Sequence, residues 1–404
     1  MPSEKLVVVG GSLAGIRAVE AVRKSGHVGP LALVGAEEHL PYDRPPLSKA
    51  YLDSGDNPEA PQFRTEEYLR DELGVDLRLG MRATALDPAR KVVHTEDGEI
   101  GYHTLVIATG AHARSIPSAD GLAGVHTLRT LDDAEAIRAG LDAGARTVIV
   151  GAGFIGSEVA SAARKRGLPV TVLEALSVPL VRSIGEDMGR ACARLHHDHG
   201  TDLRCRVKVT SLEGANGHVT GVVLDDGSRV DADLVVIGVG VRPATDWLKG
   251  SGVRLHDDGG VLCDATLNTG IEGVYAAGDV VHWPNPLFDD DMRLEHWTNA
   301  AEQGALAAKN ALNPGEAKPS ATVPYFWSDW YDSRIQFVGV PKADEIRVVS
   351  EETGDDRFLA LYRRGDHIGG AITIDRPTQI MKYRRMIAKR APWKEALAYA
   401  GVPA

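Results

Sequence analysis

The sequence predicts an α/β protein with two Rossmann-like dinucleotide-binding domains and a small C-terminal α+β domain. A glycine-rich turn separates an apolar strand from a helix at residues 5–24, and the same pattern returns at residues 147–166. Short strand patterns after residue 324 indicate the third domain. A chain of 404 residues is long enough for about three domains.

The central turn carries the stronger of the two motifs. Thr147 to Val150 is an apolar run rich in β-branched residues, and Gly151, Gly153 and Gly156 follow at G-x-G-x-x-G spacing. The first glycine permits a tight turn, the second lets a pyrophosphate approach the backbone, and the third lets the helix pack closely on the strand. The helix N-terminus can then bind the anion. A glycine-rich turn without a ligand is the alternative.

An acidic residue ends the next strand of the central motif. Val170 to Leu173 returns to the sheet, and Glu174 follows where a carboxylate accepts both hydrogen bonds of an adenosine ribose. This carboxylate would repel a 2′-phosphate, and residues 175–177 supply no cation to receive one. The sequence therefore predicts NADH rather than NADPH.

The N-terminal turn follows the same plan with a weaker motif. Gly10 and Gly15 flank the turn, Ser12 stands where the middle glycine would be, and Ala14 lies at the start of the helix. The acid expected after the second strand is displaced to Glu37, which is our candidate for a ribose contact, although this residue or the next glutamate could simply face solvent. Two such units predict two cofactors with electron transfer between them, unless one unit is a degenerate duplicate.

Composition argues against several classes of function. A net charge of −11 and a pI near 5.7 disfavour nucleic-acid or polyanion binding, because that attraction is mostly electrostatic. The chain enters a strand at once, without a signal region or an apolar run long enough to cross a membrane, so we expect a cytoplasmic protein.

Cysteines and histidines give no metal-binding pattern in the sequence. The three cysteines are far apart and lack C-x-x-C spacing, which predicts neither a disulfide framework nor a metal knuckle. One close histidine group occurs, at His196, His197 and His199. Because no acid or cysteine lies at ligand spacing, we expect these histidines on a solvated helix end and predict no metal site.

Four segments together resemble a known family. They are PYDRPPLSK at residues 41–49, the ATG that ends at Gly110, GAGFIGSE at residues 151–158, and the AAGD that ends at Asp279. Together these segments resemble those of the FAD-dependent, NADH-linked ferredoxin reductases that serve bacterial cytochrome monooxygenases and aromatic-ring dioxygenases. The resemblance extends over almost the whole chain. The resemblance implies a flavoprotein oxidoreductase. Hydride would pass from NADH to FAD, and single electrons would then pass to a 2Fe-2S ferredoxin.

The same resemblance implies that one nucleotide-binding domain is inserted in the other. The expected FAD-binding domain comprises residues 1–112 and 244–318, and the NADH-binding domain comprises residues 113–243. Residues 319–404 would form the C-terminal α+β domain.

The resemblance places Lys49 beside flavin N5, paired with Glu158, as the two catalytic residues. An ammonium there would lower the cost of the negative charge that hydride leaves around N1 and C2=O2 of the flavin. Glu158 lies two positions after Gly156, on the first turn of the NADH helix, where it could hold Lys49. A surface lysine and a glutamate favoured by the helix dipole are the alternative.

Further cofactor contacts follow from the resemblance, each with a structural alternative. Arg129 would contact an FAD phosphate or pair with a nearby aspartate, and Asp279 would bind the ribityl hydroxyls or cap a turn. Glu295 and Trp297 would lie beside the isoalloxazine or simply pack before a helix. The predicted cofactor-binding residues are Gly10, Ser12, Ala14, Gly15, Glu37, Arg44, Lys49, Ala83, Arg129, Gly151, Gly153, Ile155, Gly156, Glu158, Glu174, Gly238, Gly240, Asp279, Glu295 and Trp297.

The C-terminal domain would provide the electron exit. In similar reductases the FWSDWY segment, residues 326–331, shields the flavin, although Trp327 and Trp330 are more typical of a core than of an electron conduit. A local excess of basic residues could steer an acidic ferredoxin or could form a solvated helix face. These residues are Arg376, Lys382, Arg384, Arg385, Lys389, Arg390 and Lys394.

The electron acceptor is constrained by the missing thiols. No cysteine precedes Cys192, and Tyr42 and Asp43 occupy the loop where thiol-dependent enzymes of this fold carry one, so the sequence argues against thiol chemistry. NADH:ferredoxin reductase is the leading hypothesis, with rubredoxin as a close variant. Direct reduction of oxygen or a quinone is the second. A protein that binds FAD and NADH to change its shape and then binds a partner is the third.

Overall fold

The computed structural model describes residues 4–53, 55, 58, 61–119, 121–350 and 358–402. Residues 1–3 and 403–404, at the ends of the predicted first and third domains, lie outside this set. The helices are α1 Leu13–Lys24, α2 Leu131–Asp142, α3 Phe154–Lys165, α4 Val181–Ile184, α5 Glu186–Asp198, α6 Trp297–Leu312, α7 Pro377–Ala388 and α8 Trp393–Tyr399. Among the described residues, none of the helices is both long and apolar enough to cross a lipid bilayer.

The strands are short and occur along the whole chain. In the first half they are β1 Leu6–Val9, β2 Leu31–Val34, β3 Val75–Arg78, β4 Ala83–Asp87, β5 Val92–Thr95, β6 Gly98–Gly101, β7 Thr104–Ile107, β8 Ala111–Ala113, β9 Val125–Thr127, β10 Thr147–Val150, β11 Val170–Glu174 and β12 Asp202–Cys205. In the second half they are β13 Val209–Ala215, β14 His218–Leu224, β15 Arg229–Asp231, β16 Leu234–Ile237, β17 Val241–Pro243, β18 Val261–Leu262, β19 Val274–Ala276, β20 Val281–Asn285, β21 Asp290–Met292, β22 Tyr325–Trp330, β23 Ser333–Gly339, β24 Glu345–Ser350, β25 Phe358–Arg364 and β26 His367–Ile374.

The chain divides into two compact units, each made of separate segments. The first unit comprises Met1–Asp43, Pro61–His112 and Arg242–Pro324. The second comprises Arg44–Ala60, Ala113–Val241 and Tyr325–Ala404. This division groups the C-terminal part and the segment that contains Lys49 with the middle of the chain, whereas the sequence predicted three domains. The three-domain boundaries stay a prediction.

The first unit is built on a parallel sheet with strand order β19-β7-β1-β2-β3. All four residues of β1 are buried, as expected for a central strand covered on both faces. Val9 is aligned with Val34 on one side and Ile107 on the other, so the loops after these strands leave the same edge of the sheet. Helix α6 packs on α1 where Gly304 has no side chain, because a Cβ there would lie 2.2 Å from the Ala14 carbonyl oxygen.

The second unit contains a parallel sheet with strand order β12-β11-β10-β16-β9. Val150 is aligned with both Leu173 and Ile237, so three neighbouring strands end at one level. Ligands of open α/β sheets bind at this carboxyl edge. The residues that follow these strand ends are therefore placed to form a site.

A second sheet of this unit is antiparallel and comes from the C-terminal part of the chain, with strand order β22-β23-β26-β25-β24. Helix α7 packs on β26 and β23. Helix α5 contributes to the same core, because Met188 and Cys192 belong to one buried cluster with Phe326 and Trp330. The tyrosine hydroxyl of Tyr362 also donates to the Ile184 carbonyl oxygen at 2.5 Å.

The structure refines the start of one predicted helix and corrects the placement of one histidine. Helix α6 begins at Trp297, two residues before the predicted start at Asn299. The prediction that His196 lies on a solvated helix end is wrong, because its side chain is fully buried. Packing of α5 against the C-terminal sheet covers that face, and neither element's own sequence indicates the other. His197, one residue further along α5, is exposed.

Candidate functional site

The loop after β10 is shaped by three glycines. Gly151 has a φ of 105°, and a Cβ there would lie 2.4 Å from the Gly238 carbonyl oxygen. A Cβ on Gly156 would lie 2.2 Å from the Gly151 carbonyl oxygen. A Cβ on Gly153, the N-cap residue of α3, would lie 3.8 Å from its nearest neighbour, the Gly238 carbonyl oxygen. Open space therefore remains beside the backbone at the helix N-terminus, where an anion is stabilised.

Glu174 closes this loop from the neighbouring strand. One carboxylate oxygen accepts the amide of Ala152 at 2.8 Å, and the other accepts the amide of Leu176 at 2.8 Å. These bonds hold the carboxylate beside the glycine turn and use one acceptor position on each oxygen. Because a carboxylate oxygen can accept more than one hydrogen bond, acceptor capacity remains for the hydroxyls of a ribose.

The loop after β1 has the same construction in the first unit. Gly10 has a φ of 125°, and a Cβ there would lie 2.1 Å from the Ala108 carbonyl oxygen. A Cβ on Gly15 would lie 1.9 Å from the Gly10 carbonyl oxygen. Ser12 is the N-cap residue of α1, but its side chain makes no capping hydrogen bond. The first amides of α1 are therefore left to another acceptor.

Glu37 and Ala83 belong to the same unit. The tyrosine hydroxyl of Tyr42 donates to Glu37 Oε2 at 2.5 Å, which fixes a half-buried carboxylate after β2. Glu38 is exposed. Ala83 is the half-buried first residue of β4.

Lys49 and Glu158 form an ion pair within the second unit. Lys49 Nζ lies 2.8 Å from Glu158 Oε2, and the lysine and glutamate side chains are 20% and 2% exposed. Lys49 follows the 3-10 turn Pro45–Ser48, which three prolines in the 41–49 segment favour over a regular helix. The pairing that the resemblance implied is present, and the contact of Lys49 with flavin stays a prediction.

The Glu158 carboxylate receives three further donors that sequence reasoning missed. Oε2 also accepts the hydroxyl of Ser48, and Oε1 accepts the Ser328 hydroxyl at 2.5 Å and the Asp329 amide at 3.2 Å. A carboxylate offers about four acceptor positions, so this one is fully satisfied although it is buried. That matters because a buried charge without partners is costly.

Ser328 is itself held by a neighbouring side chain. The Trp330 indole Nε1 donates to Ser328 Oγ at 2.8 Å, and both residues are fully buried. Phe326, Ser328 and Trp330 share one face of β22 because side chains alternate along a strand. The sequence signal for Ser328 was a small polar residue that alternates with aromatic residues on the buried face of a strand. Trp327 lies on the opposite face of β22 and is half-buried.

Arg44 and Arg129 are joined in the second unit. Arg44 Nη1 donates to the Arg129 carbonyl oxygen at 2.5 Å, and the Arg129 amide donates to Asp133 Oδ2 at 2.8 Å. Asp133 also takes part in the capping box of Thr130 at the start of α2. The Arg44 guanidinium and the Arg129 backbone are therefore held at the start of α2.

The remaining predicted residues of the first unit lie between the end of β19 and the first residue of α6. Asp279 lies on the 3-10 turn Gly278–Val280 directly after β19. Arg293 Nη1 pairs with Glu295 Oε1 at 2.6 Å, and it lies 3.3 Å from the Asp279 carbonyl oxygen. Trp297 is the first residue of α6, and its indole Nε1 donates to Asp43 Oδ1 at 2.7 Å.

Three predicted NADH-site residues are placed around the glycine turn of the second unit. Gly238 packs with its Cα near the Gly156 amide, where a Cβ would lie 3.5 Å from the nitrogen. Gly240 is exposed with a φ of 97°, and Ile155 is 38% exposed on the first turn of α3. An exposed isoleucine beside the loop is available to contact a nucleotide.

His196 lies behind this helix in a polar network. Its Nε2 is 3.1 Å from Ser157 Oγ, and its Nδ1 is 2.7 Å from the Tyr331 hydroxyl. Burial and the two neighbouring histidines lower the pKa of His196 to about 3. The imidazole is therefore neutral at physiological pH and joins α3, α5 and the end of β22.

All three cysteines are free thiols. Burial raises the pKa of Cys192 to about 12, and it also raises the pKa of Cys205 and Cys263. Thiols with raised pKa are poor nucleophiles. The expectation that thiol chemistry is not used stays a prediction.

Comparison with known proteins places the chain in a family. Residues 4–304 match the pyridine nucleotide-disulphide oxidoreductases. The chain belongs to this family. Residues 325–401 of this pyridine nucleotide-disulphide oxidoreductase match a further domain described as reductase C-terminal.

Relatives of this oxidoreductase are similar over nearly their whole length. Rhodocoxin reductase of Rhodococcus erythropolis is 34% identical over 389 residues, which cover 96% of this chain and 90% of the relative. The ferredoxin–NAD(+) reductase component of the anthranilate 1,2-dioxygenase system of Burkholderia cepacia is 35% identical over 395 residues, 97% of this chain and 96% of the relative. The crystal structure of the covalent putidaredoxin reductase–putidaredoxin complex matches with a TM-score of 0.92 and 32% identity, covering 98% of this chain and 96% of the other.

This pyridine nucleotide-disulphide oxidoreductase uses FAD and a nicotinamide dinucleotide. Its residues fit both. In each parallel sheet one central strand is followed by a glycine turn, at Gly10–Gly15 and Gly151–Gly156, where side chains would clash with the backbone. Each turn leaves the first amides of the following helix for a pyrophosphate. Each turn also has a fixed carboxylate on the following strand loop, Glu37 in the first and Glu174 in the second.

Proposed function

We propose that this enzyme is an FAD-dependent NADH:ferredoxin oxidoreductase that supplies electrons to an oxygenase. The observation that carries the proposal is the ion pair between the half-buried Lys49 and the buried Glu158, in a chain whose thiols have raised pKa values. Similarity to ferredoxin reductases over nearly the whole chain, the C-terminal domain included, supports the same acceptor. FAD supplies the conversion that the reaction needs, since it accepts a hydride and releases single electrons.

Lys49 and Glu158 are proposed as the catalytic pair. The lysine would hold a positive charge beside the flavin, where it stabilises the negative charge of the reduced ring. Glu158 would orient the ammonium, and Ser48 and Ser328 would position Glu158. Because these donors are already in place, no reorganisation is required when charge develops.

Glu174 is proposed as the residue that selects NADH. Its carboxylate is fixed by two backbone amides at the end of β11, so it cannot turn away from a bound nucleotide without losing both bonds. A fixed negative charge accepts ribose hydroxyls and repels a 2′-phosphate. Gly151, Gly153, Ile155, Gly156, Gly238 and Gly240 would complete this site.

The FAD contacts are proposed on three groups of residues. Gly10, Ser12, Ala14 and Gly15 would bind the pyrophosphate, with Glu37 on the ribose and Ala83 in contact nearby. Arg44 and Arg129 would meet phosphate oxygens. Asp279, Glu295 and Trp297 would hold the ribityl chain and the ring, and the N-terminus of α6 would add positive potential.

We further propose that the oxidising partner is an acidic 2Fe-2S ferredoxin that docks on the C-terminal basic residues. Helix α7 and the residues after it expose Lys382, Arg385, Lys389, Arg390 and Lys394. In a chain with a net charge of −11 this local excess gives an anionic protein one favourable face. Free thiols suit the cytoplasm, which is the proposed location.

A coupled assay tests the function. NADH oxidation by the purified flavoprotein is followed with cytochrome c as terminal acceptor, with and without a small acidic iron–sulfur protein. We expect turnover that requires the iron–sulfur protein and falls as salt rises, because salt screens exposed charges. Oxygen consumption without the iron–sulfur protein would indicate an oxidase. A persistent charge-transfer complex with little turnover would indicate a sensor.

The docking proposal has its own test. Arg385→Glu should raise the KM for ferredoxin and leave flavin reduction by NADH unchanged. Arg90→Glu is the matched control, because Arg90 is an exposed arginine of the first unit that pairs with Glu99. Equal effects of the two variants, or turnover insensitive to salt, would contradict docking on α7.

A further inference from the structure

A cluster of two histidines and an aspartate lies in the first unit, outside the residues assigned to FAD. His256 and Asp258 flank the tip of a turn between Leu255 and Val261, and His282 lies on β20. Strand β18 pairs with β20, so Leu262 is aligned with His282 and the turn is held beside the histidine. One ligand atom of each of the three residues lies within 4.8 Å of the other two.

The distances within the cluster suit a common cation. His256 Nδ1 is 3.0 Å from Asp258 Oδ1, and the two imidazole rings are 3.8 Å apart between centroids. Neighbouring ligands on a tetrahedral zinc ion, with bonds of about 2.0–2.1 Å, lie roughly 3.3 Å apart. The closest pair, which is hydrogen-bonded in this structure, has a separation that also suits two ligands of one zinc ion, and the third ligand atom lies within 4.8 Å of both.

His282 supplies the second observation. Its side chain is only 9% exposed, and neither ring nitrogen has a hydrogen-bond partner in the described structure. A neutral imidazole has one donor and one acceptor, and leaving both buried and unmade costs free energy. His282 points at the other two residues, which are 41% and 34% exposed and leave an entry path from solvent.

We propose that His256, Asp258 and His282 bind a divalent transition metal ion, with zinc as the best fit. Two imidazoles and one carboxylate favour borderline metals over calcium or magnesium, which require more oxygen ligands. Three protein ligands leave a fourth position for water or an outside group. The histidines are distant in sequence, which is why the sequence predicted no metal site.

The charges around the cluster restrict the binding mode. The Gly260 amide donates to Asp258 Oδ1 at 2.9 Å and leaves that oxygen further acceptor capacity. Arg293 Nε occupies Asp258 Oδ2 at 2.7 Å. Asp258 therefore ligates through Oδ1 alone, and Arg293 keeps the affinity moderate.

The test is a metal titration of the untagged FAD-loaded protein. After treatment with chelator and dialysis, zinc chloride is titrated by calorimetry at neutral pH into the wild type, His256→Ala, Asp258→Asn and His282→Phe. We expect one zinc ion per chain in the wild type. Loss of even an outer partner typically weakens metal binding about 10–100-fold, so loss of a ligand should weaken it at least that much.

Two controls separate this site from other metal ligands. His218→Ala removes an exposed histidine elsewhere, and Cys263→Ser removes the nearest thiol along the chain. Both should bind zinc as the wild type does. In a parallel experiment with copper(II), paramagnetic resonance should show coupling to two nitrogens in the wild type and one in His256→Ala.

Three results would overturn the proposal. They are the absence of saturable zinc binding, binding that survives in His256→Ala and Asp258→Asn, and binding lost only in Cys263→Ser. His256 and Asp258 are partly exposed, so their variants remain informative if His282→Phe fails to fold. The flavin absorbance of each variant before metal is added reports whether it has folded.

Discussion

Replacing Lys49 with methionine tests the ion pair at the centre of the proposed mechanism. The two charges are 2.8 Å apart, which corresponds to an attraction of about 6 kcal/mol at an effective dielectric constant of about 20. Desolvation offsets part of this attraction, and breaking a buried pair costs about 3–5 kcal/mol. Glu158 keeps three other donors and Lys49 is 20% exposed, so we expect a loss near the lower end, about 3 kcal/mol in the free energy of unfolding.

The same variant should slow flavin reduction. Removing one preorganised group that stabilises developing charge costs roughly 100- to 1,000-fold in rate. Because water can partly replace a side chain that is 20% exposed, we expect a value near 100-fold. Rapid mixing with NADH under nitrogen, followed by flavin absorbance, measures it, and denaturation followed by tryptophan fluorescence measures stability.

Lys165→Met is the matched control. Lys165 Nζ lies 3.0 Å from Asp53 Oδ1, but the two side chains are 47% and 42% exposed, and such surface pairs contribute about 0–1 kcal/mol. Flavin reduction in Lys49→Met at the wild-type rate would remove Lys49 from the mechanism. Equal destabilisation by the two variants would refute the energetic argument for the buried pair.

Three further predictions follow from the contacts around the site. Ser328→Ala should lower the free energy of unfolding by about 2–3 kcal/mol in urea denaturation, because Glu158 loses a donor and the Trp330 indole loses its acceptor, while Ser328→Thr should retain most of it. Glu174→Ala should reduce kcat/KM for NADH about 10- to 100-fold with little effect on kcat/KM for NADPH, since hydrogen bonds to a charged group contribute about 1.5–3 kcal/mol. An unchanged ratio of kcat/KM for NADH to kcat/KM for NADPH would exclude Glu174 from selectivity. The pKa of His196 is about 3 in the folded protein against an ordinary 6.5. The unfolded chain therefore binds a proton first, and the free energy of unfolding should fall progressively as pH decreases from 6.5 to 3. Denaturation measured across this range should show a weaker pH dependence in His196→Asn.

Local patterns predicted the parts of the site that local geometry determines. Gly151 and Gly156 were assignable because a β-branched run, a tight turn and a helix follow one another within a few residues. Glu174 followed from the length of that helix and the return strand. Each inference needed only neighbours along the chain.

Contacts between segments that are distant along the chain could not be predicted from the sequence. Nothing near Ser328 indicates that it donates to a glutamate 170 positions earlier, and nothing near His196 indicates that Tyr331 covers it. The pairing of His282 with His256 likewise depends on a strand alignment that no periodicity reveals. These contacts arise when sheets and helices pack, so a pattern within one element cannot report them.

The interrupted order of segments in the first unit has a consequence for biosynthesis. Strand β7 lies between β1 and β19 in the sheet, but β19 is translated only after the whole of residues 113–241. Until Val274 leaves the ribosome, the buried side chains and backbone of Thr104–Ile107 lack their outer neighbour. An unpaired apolar edge invites association with other chains. Nascent chains arrested before Val274 should therefore need chaperone protection, and those arrested after α6 should need less.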